Sequence, residues 1–424
     1  MTEPTTDPAH VEPLVDHLFR RQSGRIVAAL TRLFGPRELE LIQDAVQEAM
    51  LSALRLWPYR GVPDRPDAWL LTVARNRVLD GLRRRSSWRA REGEVLRETT
   101  ASAERAESPT GIDEPHDDEL TMVLLCCHPA LPRDAQVALT LKTVAGFGVA
   151  EIARAFLARE TAIAQRLVRA KRKLREIDPE FSLPAPDRLR DRVDVALEVL
   201  YLVFNEGHAA HQGQELVRAD LCREAIRLVE LLTADPRTAL PEASALAALL
   251  CFQAARLPAR SGEQGEPLTY AEQDPARWDR ELVGRGLRHL AASARGERVS
   301  AYHLQAEIAS CYTLVASTAE VDWSRVVDLY DQLLALAPSP VAATNRAVAL
   351  AEAAGPQAGW AELARLGDEP SLADYVPYHL ARGELGARAG RPEDARRHLQ
   401  RAWELSRSEP VRRRLARRLR ELAG

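Results

Sequence analysis

Residues Val149–Arg175 read VAEIARAFLARETAIAQRLVRAKRKLR, and the rest of the chain is organised around this stretch. In its first half apolar residues recur at intervals of three and four, which predicts a short amphipathic helix. Leu157–Arg159 then make a tight turn, and a second helix places Ile163, Leu167 and Leu174 on one buried face. Two short helices joined by such a turn predict a helix-turn-helix.

The second helix of this motif is strongly basic. It contains no acid between Thr161 and Arg175, although the whole chain has a formal net charge of -3. A local excess of this kind favours a surface that binds nucleic-acid phosphates. The alternative is a solvated basic helix without a ligand, and the preceding turn and helix favour DNA binding over it. The basic residues outside the apolar face are Arg166, Arg169, Lys171, Arg172, Lys173 and Arg175.

The composition predicts a helical protein of several domains. A length of 424 residues corresponds to about two to four domains of roughly 150 residues each. Hydrophobic residues make up 46% of the chain, which is ample for packed cores. Helix-favouring residues dominate and β-branched runs hardly occur, so we expect an all-α fold without a sheet of consequence.

Features of secretion and membrane insertion are missing from the sequence. The N-terminal residues lack the basic, apolar and small-residue succession of a signal peptide, and the longest apolar run, Val195–Phe204, is short and contains Glu198. Five cysteines, an odd number, predict reduced thiols rather than a disulfide framework. We therefore expect a cytoplasmic protein with no membrane partner.

The first predicted domain covers residues 11–91. Apolar periodicity predicts helices over Leu14–Phe34, over Glu38–Trp57 and from Asp67 to about Arg85. Between the second and third helices, Pro58–Pro66 contains three prolines and a glycine, which predicts a loop.

Three further segments follow this domain. Residues 92–118 have nine acids against two arginines, with serine, threonine, proline and glycine between them, and are predicted to be a flexible acidic linker. Residues 119–178 regain helical patterning and include the helix-turn-helix, and a proline-containing break, Asp178–Asp187, ends this domain. Residues 188–424 are predicted to be a long array of helices.

The last third of this array has a loose repeat. Its apolar spacing resembles that of tetratricopeptide (TPR) repeats, although the period departs from the usual length of about 34 residues. We therefore describe the array as TPR-like, with a further helix expected within Gly355–Gly367. Such arrays bind proteins along a concave face, and packing without a partner is an equally open alternative. The matching residues are Val326, Tyr330, Leu333, Pro338, Ala395, Leu399 and Ala402.

No catalytic centre is evident, so we predict that the chain is not an enzyme and needs no cofactor. Two groups imitate metal or redox sites, but neither has the CxxC or HExxH spacing of a metal site. Buried structural residues are the better interpretation of both groups. They are Glu206, His208 and His211, and Cys126, Cys127 and His128.

The chain resembles bacterial RNA polymerase sigma factors of the extracytoplasmic-function (ECF) class. Three stretches carry the resemblance: DAVQEAMLSALRLWP (Asp44–Pro58), PDAWLLTVARNRVLDGLRRR (Pro66–Arg85) and the helix-turn-helix stretch quoted above. They resemble the σ2 and σ4 domains of that class. CCHPAL (Cys126–Leu131) and YLVFNEGH (Tyr201–His208) resemble a subgroup that has a long TPR-like C-terminal extension, in which the extension is implicated in activity.

The resemblance implies two DNA-binding surfaces. In σ4, the second helix is expected to enter the major groove of the -35 promoter element, with its N-terminal residues facing base edges and later basic residues along the backbone. In σ2, the loop before the third helix and that helix are expected to capture an unpaired base of the -10 element and to hold phosphates. The implied -35 residues are Thr161, Gln165, Arg166, Arg169, Arg172 and Lys173, and the -10 residues are Asn76, Asp80, Arg83 and Arg84.

The resemblance also implies a surface that contacts core RNA polymerase. On this surface Asp44, Gln47 and Glu48 are expected to complement a basic coiled coil of the polymerase. The acidic linker resembles a segment that threads into the RNA path of the polymerase, with a disordered tail as the alternative. The extension is expected to regulate activity, and a protein partner of the extension is one expected route. A helix-turn-helix regulator controlled by a TPR-like sensor is the competing hypothesis, and the N-terminal domain argues against it.

Overall fold

A computed structural model describes residues 22–92, 115–156, 158–208, 212–213, 218–262 and 265–422. The chain divides into two compact units, Met1–Val199 and Leu200–Gly424. Nearly all the regular structure of both units is helical, which confirms the predicted all-α fold.

The first unit is built from helices that match the predicted order. Helix α8 continues into the second unit, so the division between the units falls within it. These helices are α1 (residues 22–34), α2 (Leu39–Arg60), α3 (Pro66–Glu92), α4 (Pro115–Cys126), α5 (Arg133–Thr143), α6 (Val149–Ala155), α7 (Glu160–Ile177) and α8 (Pro186–His208).

The predicted loop Pro58–Pro66 is wrong at both ends, because α2 continues to Arg60 and α3 begins at Pro66. A proline in the last turn of a helix removes only one backbone hydrogen bond, so Pro58 is tolerated there. The helix ends at Gly61, which has φ of 80° and donates its N–H to the carbonyl of Trp57 at 2.9 Å.

The ends of the predicted linker are helical. Glu92 closes α3 and Pro115 opens α4, so only residues 93–114 lie outside the described part of the chain, as do residues 14–21 of the predicted first helix. Asp118, assigned to the linker from the sequence, is buried and forms an ion pair with Arg32 at 3.4 Å. The neighbouring Glu119 is buried beside Arg25. These pairs offset the cost of burying carboxylates, and they make the end of the acidic segment part of the first unit.

The helix-turn-helix forms as predicted, with α6 as its first helix and α7 as its second. Ile163, Leu167 and Leu174 are buried, and Ala170 completes their stripe. The N–H of Gly148 donates to the Glu151 carboxylate at 2.7 Å, which satisfies the start of α6.

The second unit is an array of antiparallel helix pairs. Two strands of two residues each, β1 (Gln212–Gly213) and β2 (Arg407–Ser408), pair in parallel. The helices are α9 (Ala219–Ala234), α10 (Pro241–Ala255), α11 (Arg280–Ser293), α12 (Ala301–Thr313), α13 (Trp323–Leu336), α14 (Pro340–Ala354), α15 (Pro356–Arg365), α16 (Val376–Arg388), α17 (Pro392–Leu405) and α18 (Glu409–Glu421).

The residues chosen for their repeat spacing lie in the cores between packed helices, except for Pro338, which is exposed. Val326, Tyr330 and Leu333 pack in one cluster of α12–α14, and the residues of α17 that match the repeat are also buried. Helices α16 and α17 approach closely at Gly383, where an added Cβ would lie 2.5 Å from a side-chain atom of Leu399. The helix expected within Gly355–Gly367 is α15.

The burial of the cysteines leads to a prediction about their reactivity. Cys311 is partly exposed, whereas the other four cysteines are buried, and burial raises the pKa of Cys127 to about 12. Because the thiolate is the reactive form, we expect Ellman's reagent to modify one thiol in the native protein and all five in denaturant. Cys311→Ser should abolish the native reaction. Native labelling of Cys126 or Cys127 would contradict the packing of α4.

Candidate nucleic-acid interface

Helix α7 has one buried and one exposed face. The stripe from Ile163 to Leu174 packs against α5 and α6, so the opposite side of the helix faces solvent. Five of the six residues predicted to bind the -35 element are exposed: Thr161, Gln165, Arg169, Arg172 and Lys173. Their spacing of three and four residues places them in one row, with the polar side chains at the N-terminal end and the cations behind them.

Arg166 is placed differently from the other five. Its position one turn from both Ile163 and Ala170 puts it beside the buried stripe rather than in the exposed row. Its Nε lies 2.9 Å from the Asp134 carboxylate of α5, and its side chain is 28% exposed. The structure therefore places Arg166 in an ion pair that links α5 and α7.

Two other basic residues of α7 face the N-terminal helices. The Lys171 ammonium donates to Gln43 Oε1 at 2.9 Å, and Gln43 Nε2 donates to the Thr143 hydroxyl at 2.9 Å. Arg175 pairs with Glu40 at 3.0 Å. Burial lowers the pKa of Lys171, while the charges of nearby acids on α2 oppose that shift. This part of the basic helix is therefore an internal contact.

The predicted -10 residues share one exposed face of α3. Asn76, Asp80, Arg83 and Arg84 are all exposed, and their spacing places them on adjacent turns. Arg84 Nε donates to the backbone carbonyl of Asp80 at 3.3 Å, and Arg83 lies 3.8 Å from the Asp80 carboxylate. The Asp80 carboxylate thus lies near Arg83, and its backbone carbonyl accepts from Arg84. The preceding loop follows Tyr59, whose side chain is 89% exposed.

The predicted polymerase contacts lie on the exposed face of α2. Asp44, Gln47 and Glu48 are all exposed. Glu48 also forms an ion pair with Arg77 of α3, whose Nη2 donates to the Ser52 hydroxyl at 2.9 Å. Glu48 therefore helps to hold α2 against α3, whereas Asp44 and Gln47 project from the helix.

The described residues of the two groups that imitate metal or redox sites are largely buried. Cys126 and Cys127 are fully buried, and burial raises the pKa of both thiols. Burial and two nearby arginines hold the pKa of His208 well below its ordinary range, and His211 lies outside the described residues. Within the part of the chain that the structure describes, no group of three or more His, Cys, Asp or Glu residues is arranged to hold a metal ion.

Comparison with known proteins assigns three parts of the chain to families. Residues 18–88 match Sigma-70 region 2, residues 121–174 match Sigma-70, region 4, and residues 192–294 match a family of unknown function (DUF6596). An uncharacterized protein of Rhizobium meliloti (strain 1021) is 38% identical over 382 residues, which are 90% of this chain and 89% of that protein. The chain belongs to the ECF sigma factors with a long C-terminal extension. No solved structure matches it significantly.

The two matched sigma regions contain the exposed helix faces described above. Region 2 contains α2 and α3, and region 4 contains the helix-turn-helix. Both regions belong to one compact unit of the sigma factor. Among the helices that the structure describes, none is both long enough and apolar enough to cross a membrane.

The residues that join these regions were not predicted from the sequence. Gln43 lies 100 residues before Thr143 and 128 residues before Lys171, and no local pattern pairs it with either. Arg37 and Asp178 form another such pair, with 2.7 Å between Nε and the carboxylate. Asp178 has a positive φ of 49° at the end of α7, and the neighbouring residues in the sequence do not predict this conformation.

The contact between regions 2 and 4 of the sigma factor predicts a stability effect for Gln43. Gln43→Ala removes one acceptor and one donor, and it leaves the partly buried Lys171 ammonium without this partner. We expect a loss of about 1–3 kcal/mol in the free energy of local opening of α2 and α7. Hydrogen exchange measured peptide by peptide on the full chain gives this value.

Gln47→Ala is the matched control, because Gln47 is the same residue type one turn later on an exposed face. Its effect should stay within about 0.5 kcal/mol. Equal protection of α7 in both variants would show that the Gln43 contact contributes nothing to the first unit.

Proposed function

We propose that this protein is an alternative sigma subunit that binds core RNA polymerase, recognises the -10 and -35 promoter elements and directs transcription initiation. One observation carries the proposal: regions 2 and 4 occur in the same chain, and each has an exposed helix face with the residue types for DNA contact. Sigma-70 families are initiation factors without catalysis, so we assign no reaction and no cofactor to the chain. The cytoplasm, where polymerase acts, is the proposed compartment.

For the -35 element, α7 enters the major groove with its exposed row facing DNA. Thr161 and Gln165 come first along the helix and contact base edges, which are the groups that distinguish sequences. Arg169, Arg172 and Lys173 follow on the same side and contact phosphates. Arg166 reads a base only after its guanidinium exchanges Asp134 for DNA, because the ion pair holds it beside α5 in the free protein.

For the -10 element, the loop after Tyr59 and the exposed face of α3 capture an unpaired base. Promoter opening costs unstacking energy, and an amide side chain such as Asn76 offers hydrogen bonds to the edge of a displaced base. Asp80 orients Arg83 and Arg84, and the two guanidiniums hold phosphates without choosing the sequence.

Core polymerase is contacted by Asp44, Gln47 and Glu48 on α2. All three are exposed, and two of them carry the negative charge that a basic partner surface attracts. The decisive experiment is run-off transcription with purified core polymerase on genomic fragments, followed by mapping of the start sites. Sequence-specific DNA binding without core polymerase, together with no effect on initiation, would instead favour a conventional helix-turn-helix regulator.

Two substitutions in α7 distinguish base recognition from phosphate binding. We expect Gln165→Ala to lower discrimination at one base pair of the -35 element by about 1–3 kcal/mol, because it removes a base contact. Lys173→Ala should weaken all promoters about equally and reduce the slope of log affinity against log salt by about one unit. Competition assays with holoenzyme on a -35 library at several salt concentrations measure both effects. Unchanged base preference in Gln165→Ala would contradict its placement in the groove.

Charge reversal on α2 tests the polymerase contact. Asp44→Arg and Gln47→Arg place positive charge against the proposed basic partner, so we expect at least a tenfold loss of core affinity, equivalent to about 1.4 kcal/mol. Gln47→Arg is needed because Asp44 also lies in the field of Lys171 within the protein. Glu297→Arg, at an exposed site of the second unit, is the charge-matched control. Equal co-purification of all three variants with core polymerase would show that this face of α2 does not contact the polymerase.

The extension regulates this activity by docking on the sigma regions, on polymerase or on a protein partner. A truncation that tests this proposal ends at Val199, because the first half of α8 belongs to the first unit. Leu189, Val193 and Leu197 are buried, and Arg192 donates to the carbonyl of Leu124 at 3.0 Å. We expect the shortened chain to bind core polymerase and to differ from the full chain in run-off yield. Identical yields and identical responses in cells would leave the extension without a regulatory role.

A further inference from the structure

The second unit contains a partly open cavity of about 530 Å³. Its wall is formed by the end of α8, the segment after α10, and parts of α12, α13 and α14. The volume lies within the range of small-molecule sites, which is about 300–1,000 Å³. Its polar lining includes Tyr201, Arg256, Arg260, Gln305, Tyr312 and Asn345.

Two guanidinium groups lie in this wall, four positions apart in the chain. Arg256 has its guanidinium carbon 4.7 Å from the ring centroid of Tyr270, and its Nε and Nη2 donate to Gln273 Oε1 at 3.2 and 3.1 Å. Arg260 donates through Nη1 to the backbone carbonyl of His208. Aromatic, amide and carbonyl groups thus orient both cations without neutralising them.

Across the part of the chain that the structure describes, no carboxylate compensates the positive charge of this pair. Burial and the nearby charge of Arg256 together lower the pKa of Arg260 to about 10. Neither guanidinium forms an ion pair with a carboxylate of the described residues, in contrast to Arg285 and Arg346 of nearby helices. Two largely buried like charges without a counter-charge are unfavourable, and a bound anion relieves that cost.

The rest of the wall suits an apolar or planar body. Leu268 and Ile308 line it together with the rings of Tyr270 and Tyr312. Hydrogen bonds hold these rings in place, since the Tyr270 hydroxyl donates to the backbone carbonyl of Tyr312 at 2.6 Å. On the other side, the Tyr201 hydroxyl donates to Gln305 Oε1 at 2.9 Å. The cavity therefore combines two cationic groups with preorganised aromatic rings, and the Arg256 guanidinium lies over the Tyr270 ring.

We propose that this cavity binds a small organic anion, whose carboxylate or phosphate contacts Arg256 and Arg260 and whose planar or apolar body packs against Tyr270, Tyr312 and Ile308. Guanidinium groups bind either oxyanion bidentately, so both chemistries fit the same wall. The site does not depend on the proposed promoter recognition, because every lining residue lies in the extension. Occupancy of the site is the signal that would reach the sigma regions if the extension regulates them.

Calorimetric titration of the full-length protein tests this site with three probes: benzoate, phenyl phosphate and inorganic phosphate. We expect benzoate or phenyl phosphate to bind, and to bind more tightly than inorganic phosphate because of the aromatic wall. Arg256→Gln and Arg260→Gln should each weaken that binding by about tenfold or more, as expected for loss of a charge-assisted hydrogen bond. Arg288→Gln, at an exposed position of α11, should leave it unchanged.

A second variant keeps the test decisive if an arginine variant does not fold. Ala309→Phe fills the cavity from α12 while retaining both arginines, and it should abolish binding with the helical circular dichroism spectrum preserved. Preference for benzoate or for phenyl phosphate identifies the oxyanion. Failure of both probes to bind at millimolar concentrations, or equal binding by Ala309→Phe and the unmodified protein, would overturn the proposal.

Discussion

Burial of the α7 stripe determines how the first unit presents its charges. Ile163, Leu167, Ala170 and Leu174 are each at most 4% exposed. The residues of an α-helix have fixed angular positions around its axis. The packing of these four residues therefore decides towards which side every other residue of α7 projects. The polar and basic row that contains Gln165 faces solvent for this reason. The same constraint directs Arg166 towards Asp134 and Lys171 towards Gln43.

The basic helix consequently has two roles in the structure. Part of its positive charge is exposed and available for phosphates, and part of it joins regions 2 and 4 through Lys171 and Arg175. Partial burial of Lys171 costs solvation, and Glu40 and Asp44 on α2 offset some of that cost. A count of cations along the sequence therefore overestimates the charge that the free protein offers to DNA.

The arginines of the second unit have two kinds of surroundings. Several of these arginines pair with acids of another helix, as Arg346 does with Asp331 and Arg285 with Glu230. Such partly exposed pairs orient the helices and contribute modestly to stability. Arg256 and Arg260 differ, because their contacts are aromatic rings, an amide and a backbone carbonyl. This difference is the reason to regard their cavity as a binding site rather than as a packing defect.

The sequence by itself determined the all-α fold, the helix-turn-helix and the sigma-factor family. These properties depend on local periodicity and on short motifs, which act within a few turns of chain. The bounds of the predicted domains and the roles of the predicted contact residues remain predictions. Sequence reasoning missed the helical ends of the linker because the burial of Asp118 depends on Arg32, far away in the chain.

Only the tertiary structure decided which charges are paired and where a cavity forms. The sequence placed Arg166 and Gln165 together as neighbours, but the packing of α7 against α5 puts one in an ion pair and the other in solvent. Arg256 and Tyr312 are more than fifty residues apart, so no spacing rule relates them. Contacts of this kind arise when separate helices pack, because burial and electrostatic pairing depend on distance in space and not on distance along the chain.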